Sequence, residues 1–293
     1  MSGMAELSQR HARLQEINGI MTAMKSLSLV EARKLERFIG EQQRMRDNIA
    51  AAAADFLQFH PAIGVNPPRR AAATIVAIGS ERGFCGSFND RIVQALSELT
   101  PEHDTASIVV VGHRLSSRLA AHPRVAARID GPTVTEDVPA VLERLVDALH
   151  DLSAASAAGP AELQCLGHDR RGEPAVTTLL PLPRAAAGGR RGIAPELHLD
   201  PQVFYGELLQ QHLMAALVGH LYASLAAESN QRLAHMERAL DRLDETLARL
   251  ALKRNALRQE RIVEEIEVIL SSEMAFDARN RSHAGNLAAG DRR

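Results

Sequence analysis

The sequence predicts an α/β domain, Rossmann-like in its alternation, carried between two long terminal helices that pair as an antiparallel coiled coil. Three observations lead there. Apolar residues recur at heptad spacing near both ends of the chain. Between the ends, short β-branched runs that close on glycine alternate with amphipathic runs, the pattern of a mostly parallel sheet with helical crossovers. Aromatics make up only 3% of the 293 residues and there is no tryptophan, which suits a chain built largely of Ala/Leu helix.

The first element covers residues 1–59. No proline interrupts it, and Leu14, Ile17, Met21, Met24, Leu35, Phe38 and Met45 fall at steps that fit a helical seam. The stripe weakens at Ser28 and Glu31, where a stutter or local unwinding is expected. Residues 60–70, "HPAIGVNPPRR", carry three prolines and a glycine and read as a linker. The central domain is placed at 71–199. Its strand candidates are "ATIVAIG", "SIVVVG", "ELQCLGH" and "AVTTLLPL"; its helix candidates are "FNDRIVQALSEL", "HRLSSRLAAH" and "VPAVLERLVDALHDLSAAS". "PRAAAGGRRGIAPE", residues 183–196, is expected to be a mobile loop. The last helix is placed at 200–276, with Asp200 as N-cap and Pro201 at its first turn. Its seam is Leu233, Met236, Leu240, Leu243, Leu247, Leu250 and Leu257, with Arg254 at the skipped position. Residues 277–293 lack apolar periodicity and are expected to be a disordered tail. A seam cannot stay in water. Pairing the two terminal helices with each other as a rod is the economical solution, and homodimerisation through the C-terminal seam is the alternative.

Composition excludes several function classes. The net charge of −2 gives no global field to draw nucleic acid or an acidic membrane. Two cysteines far apart, Cys85 and Cys165, make neither a disulfide framework nor a zinc cluster. The N-terminus has no apolar stretch after its charges and does not read as a secretory signal. The uncharged run Leu208–Ala227 contains glutamines and histidines and reads as a buried helix in place of a membrane span. Lys25-Ser26 lies within a helix with no glycine loop before it, so no P-loop is present, and Gly83 with Gly86 falls short of the dinucleotide fingerprint. No cofactor or metal site is expected; His212 and His220, eight apart on one helix face, read as polar spots on a packed surface.

The stretch "SERGFCGSFND", Ser80–Asp90, joins a strand to a helix. It admits an enzymatic reading, a cysteine-dependent hydrolase of α/β fold. Cys85 would be the nucleophile on an elbow, His113 or His168 the base, and Asp169 the orienting carboxylate. The second small residue of the elbow comes one position early, however, and no spacing selects a base. The competing reading is a tight turn holding an inert thiol. Further on, Arg249, Lys253, Arg254, Arg258 and Arg261 form a basic band, followed by Glu264, Glu265 and Glu267. Two bands of opposite sign on one rod suit different partner surfaces, and equally an ordinary solvated helix.

Four segments, in order, carry a resemblance that spans roughly residues 5–275. "IMTAMKSLSL" contains the matching Ala23-Met24-Lys25. "SERGFCGSFN" is an acid/Arg-Gly-apolar-Cys-Gly run ending in Asn. "ASLAAESNQRLAHMERA" contains Glu228, Arg232, Met236 and Ala239. "NALRQERIVEEIEVILSS" contains Asn255, Arg258, Gln259, Ile262, Glu265 and Ser271. Together they resemble the gamma subunit of F-type ATP synthases. The sequence departs from that pattern at Glu31, Arg242 and Ser271-Ser272-Glu273, which leaves room for the gamma subunit of a divergent, alternative bacterial F-type ATPase.

The resemblance implies a non-catalytic central rotor shaft that couples rotation of a membrane c-ring, driven by protons or sodium, to ATP synthesis or hydrolysis. Its partners would be the alpha and beta subunits of the head, the epsilon subunit and the c-ring, on the cytoplasmic side of the bacterial inner membrane. It also implies partner contacts at Met24, Lys25, Arg82, Cys85, Arg254, Arg258, Gln259 and Glu265. No inserted dithiol segment is present, so thiol regulation is not expected.

Overall fold

A computed structural model describes residues 2–61, 63, 73–99, 106–155, 162–169, 171–182 and 196–290. Most of the expected linker and nearly all of the loop expected at 183–196 lie outside these. The elements are α1 (Ser2–Phe59), β1 (Ala73–Ile78), α2 (Phe88–Leu99), β2 (Ser107–Val111), α3 (His113–Arg118), β3 (Val125–Ile129), a 3-10 turn (Thr135–Asp137), α4 (Val138–Ala155), β4 (Glu162–His168), β5 (Pro174–Leu180) and α5 (Pro201–Gly290). The chain divides into two units, one of residues 24–237 and one formed by 1–23 with 238–293.

In the first unit the strands line up as β3-β2-β1-β4-β5, parallel except for β5, which pairs antiparallel with β4. Alternate residues serve opposite faces, as the pleat requires. Val76, Ile78, Val109, Val111 and Cys165 join one core with Leu35 of α1, Val141 and Leu145 of α4, and Leu217, Leu221 and Leu225 of α5. Ile75, Ala77, Ile108, Val110 and Leu166 join the other with Ile92 and Leu96 of α2 and with Leu115 of α3. Covering on both faces explains why β1 reads as an unbroken apolar run. It also explains the uncharged run at 208–227: Ala216, Leu217, Leu221 and Leu225 press on the sheet, and no helix among the described residues is long and apolar enough to cross a membrane. β3, "VAARI", has no counterpart among the expected strands. It is an edge strand with an alternating burial pattern, and Arg128 interrupts its apolar signal while donating to the carbonyls of Leu119 and Ala120.

Within this unit α1 and α5 touch at several levels. Phe38 stacks on Tyr222, and Phe56 packs on Phe204 and Tyr205. Lys25 Nζ lies 3.1 Å from Glu237. The expected unwinding near Ser28 does not occur, and α1 is helical throughout. Ser28 and Ala32 are buried there, so the apolar stripe lapses without any lapse in burial: small residues let a neighbouring element approach closely. Glu31 accepts hydrogen bonds from Thr135 N and Oγ1, at 2.7 and 2.6 Å, and so fastens α1 to the turn that starts α4. Lys34 pairs with Glu136 beside it.

In the second unit Leu7, Leu14, Asn18 and Met21 of α1 are half-buried, whereas Ile17 is exposed. The seam therefore passes through polar Asn18, whose Nδ2 donates to Asp244 at 2.7 Å. On α5 the expected seam holds: Leu240, Leu243, Leu247, Leu250, Arg254 and Leu257 are all half-buried. Helix α5 continues to Gly290, past the end expected at 276. Backbone hydrogen bonding needs no apolar stripe to propagate, and the alanines of this segment favour helix.

Candidate partner interface and the turn at its base

The turn between β1 and α2 sits at the carboxyl ends of the parallel strands, where order reverses around β1. In open α/β sheets that position is a ligand crevice. Here the chain fills it with its own groups. Glu228 of α5 accepts the backbone N–H of Glu81 at 3.1 Å and of Arg82 at 3.2 Å. Arg232, one helical turn on, pairs with Glu228 and donates Nε to the Gly83 carbonyl at 3.3 Å. Both side chains are buried. The backbone donors that a phosphate would use are thus taken by a carboxylate of the same chain.

Other side chains complete the frame. Glu81 Oε2 accepts from His113 N at 2.8 Å and Gly131 N at 2.7 Å, gathering the ends of β2 and β3. Asn89 accepts from Ser80 N and donates to Ser80 Oγ. Gly79 has no room for a side chain, since a Cβ there would lie 2.4 Å from Leu115 Cβ. Phe84 takes a positive φ of 66° and Gly86 one of 57°, which places Cys85 inward and leaves the Phe84 ring exposed. Arg82 is exposed as well.

The hydrolase reading fails on this geometry. Cys85 is buried against Phe88 and Ala227, its Sγ donates to the Gly83 carbonyl at 3.3 Å, and burial, reinforced by Glu228, pushes its thiol up to about 11. A thiol so placed is not the thiolate a nucleophile must supply. His168 stacks on Phe88 with ring centres 3.6 Å apart, and burial, reinforced by Arg91, lowers it to about 4. Asp169 Oδ1 accepts from Arg171 N and Glu173 N in the β4–β5 turn, so it orients the hairpin. His113 is exposed. Cys165 is buried too and pushed up to about 12.

The remaining predicted residues lie along the helices. Met24 is half-buried and Lys25 is paired with Glu237. Arg254 is half-buried in the seam, while Arg258 and Gln259 are exposed. Glu265 is exposed and pairs with Arg261 at 3.2 Å. The turn brings Arg82 and Cys85 together; Arg254, Arg258, Gln259 and Glu265 belong to the other unit. Sequence reasoning gave no role to Glu228, Arg232 or Glu81. An acid four residues before an arginine, directly after the uncharged run 208–227 of α5, was the available signal for the first two.

A family model described as ATP synthase matches residues 3–276. A relative named ATP synthase gamma chain, from Methylibium petroleiphilum, is 26% identical over 93% of this chain and 99% of its own length. Two solved structures from Euglena gracilis mitochondrial ATP synthase share the fold. One, of the rotor, has a TM-score of 0.60 at 14% identity, covering 88% of this chain and 98% of its own. The other, of an OSCP/F1/c-ring assembly, has a TM-score of 0.61 at 15% identity, covering 94% of this chain and 95% of its own. With a match over nearly its whole length and a site closed by its own carboxylate, the chain belongs to the gamma-subunit family of ATP synthases, the non-catalytic central shafts of the rotor.

Proposed function

We propose that α1 and α5 pair as an antiparallel coiled coil that stands in the ring of alpha and beta subunits, with the α/β domain serving the epsilon subunit and the c-ring. One observation carries the reading. Beyond Leu257, Ile262, Val263, Ile266, Val268, Ile269, Leu270 and Met274 are all exposed. A soluble chain does not keep so many large apolar side chains in water along one helix unless a partner covers them. The basic band just before them, Arg254 and Arg258 with Gln259, offers charge to an acidic rim of that partner, and Glu265 offers the opposite sign.

The antiparallel register has its own support. Asn18 meets Asp244 and Lys25 meets Glu237, so seven residues on along α1 correspond to seven back along α5, one heptad on each. Met24 and Lys25 belong to this pairing and to the proposed partner surface. At the turn, Arg82 and the Phe84 ring make the contact, and Cys85 shapes it from inside. Bacterial relatives favour the cytoplasmic side of the bacterial inner membrane as the setting. Exposed ion pairs contribute only ~0–1 kcal/mol each, so such contacts can break and re-form as a shaft turns.

Co-expression with cognate alpha and beta subunits tests the assembly: one copy should co-purify per ring of three alpha and three beta subunits, and failure to co-purify overturns it. Reversing the basic band, Arg254→Glu with Arg258→Glu, should slow or uncouple the assembled ATPase several-fold. Unchanged turnover and pumping would remove these arginines from the interface.

A further inference from the structure

A second polar site lies away from the turn. A cavity of about 180 Å³ opens between α1, the end of β4 and α5, lined by Gln42, Arg46, His168, Asp169 and His220 among others. It is smaller than the ~300–1,000 Å³ typical of pockets for drug-sized ligands, and larger than a single water needs.

Its donors lack partners. Among the described residues Arg46 has no ion pair. Nε2 of His220 is buried and unbonded, whereas the His168 ring lies on the other face of the sheet, stacked on Phe88. Buried polar groups are ordinarily satisfied, and those that are not call for an explanation. The single carboxylate of the lining, Asp169, is engaged by Arg171 N and Glu173 N. Room for the guanidinium is built into α5: a Cβ at Gly219 would come within 2.9 Å of Arg46 Nη1. Glycine in a helix interior is unfavourable, and here it lets the arginine lie against bare backbone.

We propose that this cavity binds a small tetrahedral oxyanion of the phosphate or sulfate type. The Arg46 fork supplies charge-assisted donors, and His220 supplies a ring N–H. Burial and the neighbouring Arg46 hold the His220 imidazole neutral, and a neutral imidazole still has one N–H to give. His212, about two turns earlier on α5, also feels Arg46. A metal ion is the poorer match, because Arg46 repels it and no group of three His, Cys, Asp or Glu among the described residues could hold one. A bound oxyanion would bridge α1 and α5 through contacts that no partner subunit supplies, so the inference does not depend on the shaft's surroundings.

The test uses the full-length chain and inorganic phosphate, at ionic strength held constant with sodium chloride. Binding is read by equilibrium dialysis and by broadening of the ³¹P resonance. Saturable binding of one phosphate per chain, displaced by sulfate, is expected. Arg46→Gln should weaken it by about tenfold or more, and Arg144→Gln, outside the cavity, should leave it unchanged. Should Arg46→Gln fail to fold, Gly219→Ala, which pushes a Cβ into the guanidinium, should weaken binding likewise. Non-saturable binding, or equal binding in the wild type and the cavity variants, overturns the proposal.

Discussion

Glu228 shows how one side chain settles a functional question. Its carboxylate meets two backbone N–H groups and Arg232 in a place where a foreign anion could otherwise bind. Removing its charge leaves Arg232 buried and uncompensated. Glu228→Gln should cost about 3–5 kcal/mol, the usual penalty for breaking a buried pair by removing one partner, measurable as a lowered urea midpoint with unchanged slope. His168 makes a second prediction. In the unfolded chain it takes a proton near the ordinary 6.5, but folded it resists protonation until about pH 4. Between those values the unfolded chain binds more protons, so stability is full above about pH 6.5 and is lost as the pH falls toward 4. His220 shares the direction. Urea midpoints across this window should fall with acidification in the wild type and fall less in His168→Gln. An equal acid dependence in the variant would show that His168 is not the group responsible.

At the scale of the element, α1 teaches that burial and hydrophobicity can part company. Through Ser28 and Ala32 the helix is buried without large side chains, while apolar Ile17 and Leu27 face outward. Fastening there is polar and directional. Glu31 accepts both the N–H and the hydroxyl of Thr135, capping the turn ahead of α4 from another element. Glu31→Ala should cost about 0.5–2 kcal/mol, the range for loss of a helix cap. Chemical denaturation would read the loss, and a change within error would show that water substitutes freely for the carboxylate. The sheet depends on the same kind of local fit. Gly112 has a φ of 109°, and a Cβ there would approach the Gly79 carbonyl oxygen to 2.7 Å, so the ends of β1 and β2 close on each other only because Gly112 carries no side chain.

For the whole molecule, the exposed end of α5 is the feature that asks for company. Ile266 and Ile269 are each about half exposed, along with the other apolar residues of that stretch. Outside its complex the chain should self-associate through this face, and Ile266→Ser with Ile269→Ser should restore monomeric behaviour in sedimentation velocity. Assembly with alpha and beta subunits should cover the face and make the same variant a poorer partner. A wild-type chain that sediments as a monomer at high concentration would show that this end needs no cover.

The amino-acid sequence by itself determined the order of elements, because helix and strand periods are written in local spacing. "FNDRIVQALSEL" is α2 to the residue, and the C-terminal seam is shielded at each expected position, fully at Met236 and half-buried elsewhere, Arg254 included. Family membership was legible for the same reason: four local motifs in order. What local spacing could not carry was decided by the tertiary structure. The edge strand β3 is hidden by the arginine in its short run, and it becomes a strand only through its pairing with β2. Phe84 and Cys85 are adjacent in sequence, yet one faces water and the other a core, because the backbone turns at a positive φ. The fate of the opening at the ends of the strands depended on Glu228, more than a hundred residues away along the chain. A nucleophile and an inert thiol look alike in a motif. They differ in the dielectric and the charges that folding brings around the sulfur, and here a buried carboxylate and an apolar wall keep Cys85 protonated.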